Sequence, residues 1–299
     1  MANVDSREAA SGTIEIPRAR RRPKGIARFW RSGQLRLGVL FLVVASLVAL
    51  IGPFVTPYDP SVSIGLPYAP PGDGALLGTD MLGRDVLSRV LAGGSNIIWM
   101  APVAALVSTG LGAAVGLAAA YFGGAVDTVL MRLMDFVLAF PSLVFTLLFV
   151  SIIGPQPWLL VVLVAIALLP GVARVVRGTA QPVVGREYVQ WAKTVGMPSG
   201  RILRQEILPN ITSPLFVELG IRLMISINLL ASLSFIGYGI QPPTPDWGLM
   251  VSENRTGLST QAFSVLAPIV LIVLFTVGGN LISEGAARVM ARTEGRDSR

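Results

Sequence analysis

FVLAFPSLVFTLLFVSIIGPQPWLLVVLVAIALLPGVA, residues 136–173, carries no charged side chain over 38 residues. A helix needs about 20 apolar residues to cross roughly 30 Å of hydrocarbon, so this run is too long for one span of ordinary tilt. Gly154-Pro155-Gln156-Pro157 divides it, because Gly and Pro punctuate helices. Two membrane-crossing helices result. Upstream lie two more uncharged runs, 37–56 and 97–126; downstream come an apolar run at 214–236, with Glu218 and Arg222 in its first turns, and an uncharged one at 256–283, centred on Val265–Leu281. The spacing predicts an all-α polytopic membrane protein with six transmembrane helices and both termini on one side.

Composition points the same way. Of 299 residues, 53% are hydrophobic and only 14% are charged, and the mean hydropathy is +0.67. Soluble domains carry about 25% charged residues, so there is too little charge to coat a globule of this size. The chain has no Cys and no His. That removes disulfides, thiolate and imidazole metal sites, cysteine nucleophiles and Ser-His triads. The composition argues against catalysis by this chain alone.

The net charge of +7 would suit nucleic acid, but its distribution suits a membrane. Of the 24 Lys and Arg, only Arg84, Arg89 and Arg255 fall in segments on one side. The rest lie before the first span, in the Val172–Asn210 segment, after the last span, or at span ends on that same side. Positive residues mark the cytoplasmic face, so both termini and the long loop are expected in the cytoplasm, with no nucleic-acid role. The expected organisation has a basic, largely disordered tail at 1–36, a first helix at 37–56 and an external segment at 57–96. A core at 97–287 with a cytoplasmic loop at 181–213 and a tail at 288–299 complete it. With 36 residues before the first run and Gly52-Pro53-Phe54-Val55 after it, that run reads as an uncleaved anchor and not a signal peptide.

No span carries a charge at its centre; Glu218, Arg222 and Glu284 lie near cytoplasmic ends. Ion-coupled pumps hold ionisable groups near the midplane, so energy is expected from a partner. Gly112-x-x-x-Gly116 reads as close helix packing. In the external segment, residues 56–74 read as loop. Val86, Leu87, Val90 and Leu91 then recur at helical spacing opposite Arg84, Asp85, Ser88 and Arg89. An amphipathic helix at the interface or against the bundle is expected there, with Arg84 paired locally and no cation bound by Asp80 and Asp85.

The stretch Arg186–Pro214 is too hydrophilic to enter the bilayer, yet patterned. Tyr188, Trp191, Ala192 and Val195 fall on one helical face. Gly196-Met197-Pro198-Ser199-Gly200 breaks that helix, and Ser199 is placed to cap a second one running toward Leu208-Pro209. Two short helices of this kind suit a groove on a partner protein or the lipid surface; pattern alone leaves both open.

The loop resembles the EAA motif of ABC importer permeases, Glu-Ala-Ala, three residues, Gly, nine residues, then Ile-x-Leu-Pro. Gly196 stands at the glycine, Ala192 at the second alanine, and Leu208-Pro209 closes the motif. Departures are Gln190 for the glutamate, Trp191 for the first alanine and Glu206 for the isoleucine. Leu77-Gly78-Thr79-Asp80, Gly83-Arg84-Asp85 and Ser88-Arg89 resemble the external signature of the peptide and nickel branch. The segment Leu233-Ser234-Phe235-Ile236-Gly237-Tyr238 through Pro245-Asp246-Trp247-Gly248 resembles that branch's loop after the fifth span. The resemblance spans roughly residues 30–290.

This resemblance implies the type I ABC importer permease fold and the "C"-type subunit of a dipeptide or oligopeptide importer in a bacterial inner membrane. Its partners would be a second permease forming a heterodimer, two ATPases that hold ATP and Mg, an external substrate-binding protein and the lipid bilayer. It assigns ATPase coupling to Glu187, Tyr188, Gln190, Trp191, Ala192, Gly196, Arg201, Leu208 and Pro209. It assigns the outer gate or binding-protein contact to Asp80, Arg84, Asp85, Asp246 and Trp247. No cofactor or metal is expected in this chain, and no enzymatic activity. The only lysines are Lys24 and Lys193, and Lys193-Thr194 lacks the Walker glycines, Ala192 and Glu187 standing in their places. Alternatives are a nickel or other small-solute permease, which the lack of Cys and His disfavours for nickel, and a self-sufficient secondary transporter, which would show matching halves.

Overall fold

The structure is a computed structural model that describes residues 33–72 and 74–297, with side chains described as far as residue 285. The expectation for the basic tail before residue 33 lies outside the described residues. Among them the regular elements are helices, with no named strand. The first helix, α1 (Gly33–Ile51), ends in a 3-10 turn, Gly52–Phe54, that carries Pro53 at its start. A folded segment without regular structure leads to the short α2 (Val86–Ala92). Then come α3 (Ile97–Phe122), α4 (Gly124–Leu138), α5 (Ser142–Ile153) and α6 (Pro157–Val184). The long loop carries α7 (Glu187–Thr194) and α8 (Ser199–Ile202). The chain finishes with α9 (Thr212–Ile236), α10 (Trp247–Asn254) and α11 (Phe263–Asp297).

Five helices are long and apolar enough to cross a membrane, and six if the bent pair α4–α5 counts as one span. That pair is where sequence and structure differ most. The uncharged run suggested a helix starting at Phe136 and bent by Pro141. Instead α4 begins at Gly124 and turns by 78° into α5. Pro141, without an N–H and at extended ψ of 132°, stands at the turn. The 12 residues of α5 reach only about 18 Å, so it cannot span alone. Likewise α3 stops at Phe122 and not Val126, because Gly123 and Gly124 adopt φ of 61° and 52°, a region open to glycine at little cost.

The helix α6 runs past the apolar stretch to Val184 because its charges are met. Arg177 Nε and Nη2 donate to the Asp127 carboxylate at 2.5 and 2.6 Å, and Arg174 Nη2 donates to Asp135 Oδ1 at 2.5 Å, both across to α4. Its partner α3 comes unusually close: a Cβ at Gly112 would lie 2.6 Å from the Val172 Cβ, and one at Gly116 2.9 Å from the Val176 Cβ. The Gly-x-x-x-Gly pair is therefore packing, as read, and α3–α6 is the most extensive helix contact.

Two apolar clusters result. The larger joins α1, α2, α3, α5, α6, α9, α10 and α11. The smaller joins the ends of α3 and α6 to the loop, through Leu117, Val176, Ala180 and Val183 against Val189, Ala192, Ile202, Ile207 and Ile211. The loop is thus bolted to two spans by its own apolar side chains.

Candidate functional site

The loop is an ordered platform with one face in and one face out. Val189 and Ala192 of α7 are buried, as are Ile202, Ile207 and Ile211. Ala192 therefore leaves the exposed stripe predicted for it and packs inward, because its small side chain sits against the ends of the spans. Tyr188, Trp191 and Val195 stay outward, with Trp191 65% exposed. Lys193 Nζ sits 4.6 Å from the centroid of the Tyr121 ring at the end of α3, a cation–π contact that fixes α7 to that helix. Gln190 Nε2 donates to the Val184 carbonyl at 2.8 Å, tying α7 to the end of α6.

Gly196 closes α7 with φ of 73°. Its N–H donates to Lys193 O and the Met197 N–H to Ala192 O, the two bonds of a Schellman cap. A Cβ there would meet nothing in this chain. The second helix differs from the reading. Ser199 makes no cap hydrogen bond, and Pro198 occupies the N-cap position. Beyond Ile202 the backbone widens into a π turn, Leu203–Ile207, then tightens to a 3-10 turn, Leu208–Ile211. Pro209 lacks the N–H that an α-helix needs there, and Asn210 Nδ2 donates to the Glu206 carbonyl at 2.6 Å instead. Glu187, Arg201 and Pro209 are exposed and Leu208 is half-buried.

At the opposite end of the bundle the residues assigned to an outer gate are internal. Asp80, Arg84, Asp85 and Trp247 are at most 4% exposed and Asp246 is 5% exposed. Of the two placements expected for α2, at the interface or against the bundle, it takes the second, with its polar face, Ser88 and Arg89, buried. Charge pairing explains it. Asp80 accepts from Arg84 Nε at 2.7 Å and from Arg89 Nη1, while Glu253 of α10 accepts from Arg84 Nη2 at 3.0 Å and forms an ion pair with Arg89 Nη1 at 2.9 Å. Burial pushes the Asp80 carboxyl up, but hydrogen bonds from Arg84 and Arg89 and their charges bring it below the ordinary value. Asp85 caps α2 by accepting from Ser88 N at 2.8 Å.

Trp247 Nε1 donates to the Val90 carbonyl at 2.8 Å, and Gly93 leaves room for its ring, since a Cβ there would lie 2.8 Å from Trp247 Cδ1. Asp246 caps α10 by accepting from Leu249 N at 3.1 Å. Burial pushes its carboxyl up to about 6 against hydrogen bonds from Leu249, Ser234 and Gly248. The whole forms a cap in which residues 57–96 are stapled to α10. Sequence reasoning missed Glu253, 169 residues from Arg84, and the Asp127 and Asp135 partners of α6. An available signal was arginines in an apolar chain without enough local acids. Among the described residues no group of His, Cys, Asp or Glu could hold a metal.

A bundle of apolar spans, an ordered loop with an outward aromatic patch at one end and a sealed cap at the other define a multi-pass membrane permease. The family of binding-protein-dependent transport system inner membrane components matches residues 109–293, and the chain belongs to it. It is 32% identical to the dipeptide transport system permease protein DppC of Haemophilus influenzae over 83% of this chain and 87% of that one. It is 33% identical to the probable D,D-dipeptide transport system permease protein DdpC of Escherichia coli, covering 82% of this chain and 83% of the relative. A third relative, the glutathione transport system permease protein GsiD of Pectobacterium atrosepticum, is 33% identical over 86% of each chain.

Proposed function

We propose that this chain is one permease subunit of an ATP-driven importer that takes up peptides delivered by an external binding protein. Relatives named for dipeptides, for D,D-dipeptides and for glutathione support the substrate class. Glutathione is itself a modified tripeptide, so the names converge on short peptides. The second permease, the two ATPases with their ATP and Mg, and cytoplasmic termini complete this reading.

The observation that carries coupling is the loop's two-sided build. Its inner face is locked to α3 and α6 through a shared apolar cluster, while Tyr188, Trp191 and Val195 remain exposed. A partner gripping that patch moves the spans with it. Aromatic side chains at the centre of an interface each contribute about 2 kcal/mol or more. The combined Tyr188→Ala and Trp191→Ala variant is expected to stay in the membrane but lose ATPase copurification and peptide-stimulated ATP hydrolysis. Wild-type recovery of both would remove the loop as the docking element.

A further inference from the structure

Away from the loop and the cap, one seam inside the spans carries polar groups whose hydrogen-bonding capacity the fold only partly uses. Outward positions on other spans include the apolar Val44 of α1, Leu106 of α3 and Ile166 of α6. The seam between α9 and α11 differs. Asn228 is exposed there, Ser232 and Thr276 are half-buried, and Asn280 is exposed one turn beyond Thr276. Thr276 Oγ1 lies 3.2 Å from Asn228 Oδ1 and donates to it, and the Asn228 amide hydrogens have no partner among the described residues. Ser232 Oγ donates to the Asn228 carbonyl at 2.7 Å, leaving its oxygen able to accept. The helices touch closely just below, where a Cβ at Gly279 would lie 2.9 Å from Met224 Cγ. The pair is therefore held at a fixed spacing.

A free primary amide facing hydrocarbon is costly, since lipid offers no hydrogen bond. Either water or a polar ligand must reach this face. We propose that the α9–α11 seam at Asn228 and Thr276 lines the translocation pathway and hydrogen-bonds the backbone amides of a passing peptide. This rests on the peptide-permease reading above. The donors and acceptors are all neutral. They match the backbone common to every peptide, and they bind weakly enough to let it leave.

The test uses the reconstituted complex, with cysteine-free partner chains and peptide-loaded binding protein. This chain has no cysteine of its own, so the Asn228→Cys thiol is unique. A charged thiol reagent is expected to label it during turnover at least about tenfold faster than the Val44→Cys control, with saturating peptide slowing the reaction. Asn228→Leu should lower peptide uptake about tenfold, the worth of one hydrogen bond, with Asn228→Gln recovering most of it and ATPase copurification unchanged in both. A position 228 thiol unreactive in every state, as in a dry subunit interface, overturns the inference. So does wild-type uptake by Asn228→Leu. If the wild-type complex takes up no peptide, the permease reading falls as well.

Discussion

Asp246 shows how one buried carboxylate sets a pH dependence. Its folded-state value of about 6 stands above the ordinary 3.8 because burial disfavours the charge. Between those values the folded protein holds a proton that the unfolded chain has released. Stability therefore falls as pH rises from about 4 to 6, and the cost is constant above that. A shift of this size corresponds to about 3 kcal/mol. Asp246→Asn keeps an oxygen for the Leu249 N–H and removes the charge. It is expected to flatten that part of the Tm-versus-pH curve and to melt higher than wild type at pH 7. Parallel curves would show that Asp246 does not titrate as placed. Gly196 gives a second residue-scale test, because its φ of 73° strains most side chains while the space around it is open. Asn tolerates this conformation better than other residues. Gly196→Asn should retain ATPase attachment better than Gly196→Ala if backbone strain decides, each measured by copurification. Equal loss in both would place the effect in the partner's contact surface.

Among the elements, the cap is held by charge and the loop by apolar packing, so they should fail differently. Arg89 is fully buried among Asp80 and Glu253, and removing one member of such a group costs about 3–5 kcal/mol. Arg89→Leu is expected to lower the yield of folded protein sharply, whereas Arg89→Leu with Asp80→Asn recovers part of it; the measure is monodisperse protein in detergent. No recovery in the double variant would mean the pairing is not what holds the cap. Which features could be read in advance follows from their range. Span positions and the Gly112–Gly116 contact rest on local composition and were legible. So was the outward stripe of Tyr188, Trp191 and Val195, though Ala192 of that stripe packs inward, and the inward set of Val189, Ile202, Ile207 and Ile211 was not read. In the cap, the local pairing of Arg84 with Asp80 was legible; its contact with Glu253, 169 residues away, was not. Pro141 could be read as a bend, but where the bent span begins could not. The run through it is apolar, and only the Asp127–Arg177 and Asp135–Arg174 pairs show that α4 belongs with the loop end of α6.

At the scale of the whole molecule, the cap and the loop lie at opposite ends of the spans. α3 and α6 each start near the cap end and finish at the loop. The count of basic residues then says which end is which. Positive residues stay in the cytoplasm, so the loop end should be inside and the cap outside. Substituted cysteines can test this because the chain has none, but the reporter must be accessible. Ser88 is fully buried and its hydroxyl is bonded to Asp85, so a thiol there would be silent whatever the topology. Ser61 is exposed at the cap, and on the loop Gly200 is exposed with open space for a side chain. In intact spheroplasts an impermeant maleimide should label Ser61→Cys at once and Gly200→Cys only after permeabilisation. Labelling of both from outside would require an odd number of crossings between residues 61 and 200 to be wrong, and with it the bent α4–α5 pair as one span. Labelling in the reverse order would keep the spans and invert the molecule, moving the exposed Tyr188–Trp191 patch away from any cytoplasmic ATPase.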